Sequence, residues 1–347
     1  MRQHQPDAEL ACGLDHLFGI VVTFVDFFYL HDEGNDNAEQ VIKAARALGI
    51  RLVLARTFYD LDAPTLAPTR FREATSDSID RMLALASVYE NDPLVSIQPA
   101  PHSLHAATPE TIAAALVVAE ELGVPCHLHL AEASYEVEQV RARYGTTPVR
   151  LLAREGLLGP RLLTVHTVWV DDEELDLLAA TDTAVVHCPG ANAFLGDGMA
   201  RVPEMLRRGI RVALGPDGGC ANNRQSVFDE MRTATLIAKA RLTDGSALDA
   251  PTAFAMGTRS GAEVLGFDGG AIASGRVADL VALDLNDLSL HPLATLDRQI
   301  VSSMQATAIT KVMVAGKLIM EGGRTLGFPL SEVRTRVSRA TKGWARP

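Results

Sequence analysis

The chain of 347 residues holds only four cysteines, Cys12, Cys126, Cys188 and Cys220, which lie far apart and form no Cys-x-x-Cys pair. That spacing argues against a disulfide scaffold or a thiolate zinc cage. Cys126 and Cys188 fall inside apolar runs, where buried free thiols are expected. No stretch is apolar over the roughly 20 residues that a membrane helix needs; the longest, Leu17 to Leu30, contains Asp26. The start, Met-Arg-Gln-His-Gln-Pro-Asp-Ala-Glu, lacks the apolar core of a secretory signal. Positive charge is scarce: 32 Lys+Arg face 43 Asp+Glu, a net charge of −11, with no basic run. Such a balance argues against nucleic acid or an anionic membrane as partner, and a reduced, cytoplasmic protein is expected. No Gly-x-Gly-x-x-Gly follows an apolar run, which disfavours a doubly wound dinucleotide-binding sheet. Solenoid repeats and low-complexity linkers are absent as well.

What is present is an alternation of short apolar runs with longer helical segments. The runs are Ile20–Phe28, Arg51–Thr57, Leu94–Pro99, Pro125–Leu130, Leu162–Trp169, Thr183–Cys188 and Ile210–Gly215. Most are rich in Val, Ile or Leu throughout, the pattern of strands buried on both faces. Helices are expected at Asn37–Leu48, Ser76–Tyr89, Thr108–Leu122, Tyr135–Glu155 with a break near Gly145 and Pro148, Asp171–Ala180, Val202–Arg208, Val227–Ala240 and near Ala253–Leu265. Thr108-Pro109 supplies a cap followed by proline at the first helical position. The regular spacing predicts an α/β chain of (β/α)8 TIM-barrel lineage with seven strands evident. Beyond Gly269 the pattern turns to short strands, and Lys311–Ile319 reads as a hairpin turning at Ala315-Gly316. The expected division is a barrel over 1–268, a small β-sandwich portion over 269–330 and a polar, basic tail over 331–347 that frays.

Barrel enzymes carry their chemistry at the C-terminal ends of the strands. Five successive runs end in His102, in His129 followed by Glu132, in His166, in His187 and in Asp217. Alternation along a strand puts His127 and His129 on one face. Nitrogen and carboxylate donors converging on one mouth suit a divalent zinc or iron ion with a coordination position open. Each histidine taken singly is an ordinary hydrogen-bonded strand-end residue, but several at one mouth are not. His4, His16, His31, His105 and His291 read as surface or loop residues.

The motifs His127-Leu-His129-Leu-Ala-Glu132, Val165-His166-Thr-Val-Trp169, His187-Cys188-Pro189 with Asn192, and Asp217-Gly-Gly-Cys-Ala-Asn222-Asn223 occur in that order. Together they resemble the amidohydrolase superfamily, in its branch of aminohydrolases acting on guanine, 8-oxoguanine, adenosylhomocysteine, pterins and triazines. The segment from Gly270 to Asp279 resembles the β-sandwich that accompanies that barrel. The resemblance implies a metal-dependent hydrolase that removes an amino group from a nitrogen heterocycle and releases ammonia. It implies His129 and Asp217 as metal ligands, Glu132 as the acid that protonates a ring nitrogen, and His166 beside the activated water. Asp217 would also take the water's proton, and His102 would contact substrate. Asn222 and Asn223 would brace the last loop. The expected partner is a small heterocycle, and family habit suggests a homo-oligomer.

The same family places a His-x-His on its first barrel strand, and here the only His-x-His is His127/His129. The expectation is therefore that strand one and the N-terminal part of the sandwich are absent, in keeping with seven strands. This leaves a second reading open, a truncated and inactive barrel that only binds. A third, a sugar-phosphate isomerase on the same architecture, calls for a phosphate loop, whereas Asp217-Gly218-Gly219 brings a carboxylate. Phe27, Phe28 and Phe58 near early strand ends read mainly as core, with stacking on a planar substrate as the alternative.

Overall fold

Seven parallel strands succeed one another in the computed structural model, which describes residues 22–31, 34–62 and 69–342. They are β1 (Thr23–Phe28), β2 (Arg51–Phe58), β3 (Val95–Pro101), β4 (Cys126–Leu130), β5 (Leu162–His166), β6 (Ala184–His187) and β7 (Val212–Leu214). Each pairs in parallel with its neighbours in chain order, as β1–β2–β3 and as β4–β5–β6–β7. The two groups meet where the His129 N–H donates to the His102 carbonyl at 3.0 Å and Ser103 bridges to His129. This is the α/β barrel lineage expected from the sequence, with the same seven strands. His4, Cys12, His16 and the rest of residues 1–21, where a first strand with a His-x-His is not expected, lie outside the described residues.

The helices follow the strands: α1 (Asp36–Leu48), α2 (Thr75–Tyr89), α3 (Pro109–Leu122), α4 (Ser134–Tyr144), α5 (Pro148–Arg154), α6 (Asp172–Ala180), α7 (Pro189–Leu195) and α8 (Val202–Arg207). The break at Gly145–Pro148 separates α4 from α5, and Thr108 caps α3 by accepting the Thr111 N–H. After β7 come α9 (Gly219–Asn222), α10 (Val227–Leu242), α11 (Ala250–Met256) and α12 (Arg259–Val264). One helix was expected where α11 and α12 stand. The chain breaks at Gly257, which packs closely on the Met231 side chain of α10. Strand β2 is buried along its whole length, as a strand with helices outside and a filled barrel inside must be.

Beyond residue 279 an antiparallel sheet forms from β8 (Leu280–Leu283), β9 (Ile309–Val314), β10 (Lys317–Glu321) and β11 (Arg324–Thr325), ordered β11–β10–β9–β8. Its hairpin turns at Ala315 and Gly316, both left-handed, the requirement of a tight two-residue turn. Ile309, Val312, Ile319 and Met320 of this sheet share one buried cluster with β1, β2 and α1. Arg51 at the start of β2 forms a two-pronged pair with Asp279 at 3.1 Å on each arm, and Asp279 also accepts the Ala315 N–H at 2.7 Å. One carboxylate thus ties barrel to hairpin turn. The tail differs from its expectation. Residues Leu330–Ala340 form a further helix, α14 in a chain where Leu296–Ser302 is α13, and Val333 buries into the same cluster. Leu330, Val333 and Val337 recur at helical spacing and give that helix an apolar stripe.

Because Arg51 and Asp279 are both nearly buried, Asp279→Ala leaves a guanidinium unpaired. We expect the unfolding free energy in urea to fall by about 3 kcal/mol; a loss below about 1 kcal/mol would show that this pair does not tie sheet to barrel.

Candidate active site

The strand ends meet at the barrel mouth, where ligand atoms of Glu132, His166 and Asp217 all lie within 4.8 Å of one another. His166 ends β5, and its Nε2 stands 3.5 Å from Glu132 Oε1 and 3.8 Å from Asp217 Oδ2. His129 on β4 stacks on His166 with ring centroids 5.5 Å apart, and His102 beyond β3 lies 4.7 Å from His129. The five sequence-predicted site residues are therefore brought together. His127 and His129 share the inward face, as both reach the Phe27 ring, at 6.3 and 4.0 Å. Their partners differ, however. His127 Nε2 bonds Gln98 Oε1 at 2.6 Å, so it is a satisfied core histidine.

The backbone around these residues is unusual. Ala131, His166, Thr167 and Asp217 all have positive φ, between 50° and 71°. None is glycine, and each such residue costs about 1–3 kcal/mol. The surroundings hold them there: Thr167, Val168 and Trp169 N–H groups donate to the carbonyls of Leu130 and Ala131. The Glu132 N–H donates to Glu136 Oε2 at 2.8 Å, and Gln225 Nε2 to the Asp217 carbonyl at 2.7 Å.

Burial sets the protonation states. It pushes Glu132 up to about 8, helped by the carboxylates of Asp197, Asp217 and Glu136, and it raises Asp217 as well. It holds His166 and His102 well below the ordinary imidazole range and lowers His129, whose proton the Asp217 charge favours. Asn192 Nδ2 donates to His166 Nδ1 at 3.1 Å, which leaves the ring proton on Nε2, facing the two carboxylates.

These donors fit a divalent cation. His129 Nδ1 bonds the His102 carbonyl at 2.9 Å, which frees the Nε2 lone pair, the arrangement that orients a metal-binding imidazole. Glu132 and Asp217 form no ion pair with lysine or arginine among the described residues. Neutral imidazoles and uncompensated, half-buried carboxylates are the donor chemistry of a zinc- or iron-type site.

Residues 21–319 match the Amidohydrolase family, and the chain belongs to it. It is 36% identical to a 5-methylthioadenosine/S-adenosylhomocysteine deaminase of Syntrophobacter fumaroxidans, over 94% of this chain and 72% of that protein. It is 33% identical to a 5′-deoxyadenosine deaminase of Methanothermobacter thermautotrophicus, over 82% of this chain and 65% of that protein. Among solved structures it resembles an adenosine deaminase from Xanthomonas campestris with bound zinc, with a TM-score of 0.88 and 28% identity over 97% of this chain and 74% of that one. A zinc complex of atrazine chlorohydrolase from Arthrobacter aurescens superposes with a TM-score of 0.90 and 25% identity over 96% and 76%. These findings bear out the hydrolase reading rather than an inactive barrel, and they set the isomerase aside. No helix among the described residues is long and apolar enough to cross a membrane.

Several residues escaped the sequence reading. His105 does lie in a loop, as expected, but it shares the Ser103 hydroxyl with His102 and packs 5.9 Å from Tyr135. His31, read as a surface residue, is buried against Phe28. Tyr29, Tyr59 and Phe71 build an aromatic wall with His102, in which the Tyr59 and His102 rings are 4.8 Å apart. Their spacing along the chain carries no periodic signal, because two strand ends and the helical turn Thr69–Phe71 supply them. Phe28 and Phe58 are core, as expected, whereas Phe27 reaches the histidines.

His129→Ala is expected to abolish tight zinc retention on a desalting column, whereas His127→Gln, at a ring whose Nε2 is taken by Gln98, retains it. Equal loss in both variants would contradict the division of roles between the two rings.

Proposed function

We propose that this chain hydrolyses the exocyclic amino group of a 6-aminopurine nucleoside, releasing ammonia, with Glu132, His166 and Asp217 as the reacting side chains. The observation that carries this reading is the convergence of a carboxyl that keeps its proton at neutral pH, a neutral imidazole and a second carboxylate on one point. The names of the two relatives favour adenosines altered at the 5′ position as substrates. The aromatic wall of Tyr29, Tyr59, Phe71 and His102 suits a planar ring.

His129 and Asp217 would hold the divalent ion, and zinc, the ion bound in both structural neighbours, is our choice over iron. When bound, such an ion lowers the pKa of water from 15.7 toward about 7, making a nucleophile available at neutral pH. Glu132 donates its proton to the ring nitrogen beside the attacked carbon, which offsets the loss of aromatic stabilisation. His166 Nε2–H holds the attacking water's oxygen by a hydrogen bond. Asp217 accepts the water's proton and returns it to the amino nitrogen. The new C–O bond forms, the C–N bond breaks as ammonia leaves, and the remaining hydroxyl proton passes to the Glu132 carboxylate, which gives the 6-oxo product and restores the acid. His102 lies against the ring. The enzyme would act in the cytoplasm, as a homo-oligomer.

The test is ammonia release from 5′-methylthioadenosine, adenosylhomocysteine and 5′-deoxyadenosine, set against guanine, pterin and a triazine. Turnover confined to the last three would overturn the nucleoside reading. Glu132→Gln is expected to lower kcat by at least about 100-fold. An acid that must carry its proton is lost as pH rises through its pKa, so kcat/KM is expected to decline above about pH 8. A rate rising steadily through that range would remove Glu132 from the acid role.

A further inference from the structure

Behind the mouth, on α10, Glu230 is 1% exposed and bonds no lysine or arginine among the described residues. Its Oε2 accepts the Gly190 N–H at 2.8 Å, and its Oε1 accepts Asn222 Nδ2 at 2.8 Å. Gly190 belongs to α7, the short helix that also presents Asn192 to His166 Nδ1. Asn222 Nδ2 spends its other hydrogen on the Pro216 carbonyl at 2.7 Å, immediately before Asp217. The packing is tight: a Cβ on Gly190 would lie 2.5 Å from Glu230 Oε1 and 2.7 Å from both amide atoms of Asn222.

We propose that Glu230 is a positioning residue that holds two reacting groups at once. Through Gly190 and α7 it fixes the ring of His166, and through Asn222 and Pro216 it fixes the left-handed backbone of Asp217. It touches neither substrate nor the reacting atoms. Both of its partners are donors, so the position calls for two acceptor oxygens. Glutamine offers one oxygen and turns an N–H₂ toward the other donor; aspartate is one methylene too short to span both loops. The inference rests on the reading that His166 and Asp217 act together.

The test compares wild type, Glu230→Gln, Asn222→Ala and the double variant, all as the full chain. Zinc affinity is measured by competition with a chromogenic chelator, kcat and KM by ammonia release, and folding by Tm. We expect Glu230→Gln to weaken zinc about tenfold, within the range seen when groups that orient metal ligands are removed. It should lower kcat at least tenfold with KM changed less than threefold. Asn222→Ala, which keeps the Gly190 bond, should weaken zinc similarly, and the double variant should lose little more. Zinc affinity within twofold of wild type in a folded Glu230→Gln or Asn222→Ala chain overturns the proposal, as does a fall in Tm with kcat and zinc affinity intact. A wild type that binds zinc but releases no ammonia would defeat the nucleoside reading, while the zinc ratios would still decide the role of Glu230.

Discussion

Two carboxyl groups crowded together without a nearby cation are the constraint on which this barrel mouth depends. Glu132 and Asp217 approach His166 within a 4.8 Å cluster, and the surrounding imidazoles are neutral. Two unit charges at that separation repel by about 3.5 kcal/mol at an effective dielectric of 20. The site relieves this in one of two ways: a carboxylate keeps a proton, or a divalent ion enters. The raised ionisation of both carboxyls expresses the first. The freed His129 nitrogen, held by the His102 carbonyl, prepares the second.

The scaffold bears a further cost to aim these groups. Left-handed backbone at Ala131, His166, Thr167 and Asp217 persists because neighbouring loops pin it with hydrogen bonds from several directions. Glu136 and Glu230 are buried carboxylates behind that frame: one accepts the Glu132 N–H, the other the Gly190 N–H at the start of α7. Rigid strands bring the side chains to the mouth, and these carboxylates set the last turn of chain that orients them.

Much of this was legible in the sequence because strand-end chemistry follows from periodicity. Continuous apolar runs located all seven strands, and His102, His129, His166 and Asp217 stood at run ends. The capping box of Asp171 and Glu174 opens the helix expected over Asp171–Ala180. What escaped was interaction across the fold. Nothing in the local sequence says that Gln98 satisfies His127 while His129 keeps a nitrogen free, since both sit on one strand face. Glu230 lies 40 residues from Gly190 in the chain and shares no motif with it. The helix at Leu330–Ala340 was missed because a basic, polar composition outweighed three apolar residues at helical spacing.

A pocket whose crowded carboxyls face only neutral imidazoles should take up a divalent ion stoichiometrically. The most direct measurement is metal content by plasma mass spectrometry of the purified chain, desalted without chelator and again after adding zinc. About one zinc per chain is the result expected of a site that holds its ion through folded-state ligands. A folded chain that is metal-free as purified and stays so in added zinc would contradict a metal-dependent site.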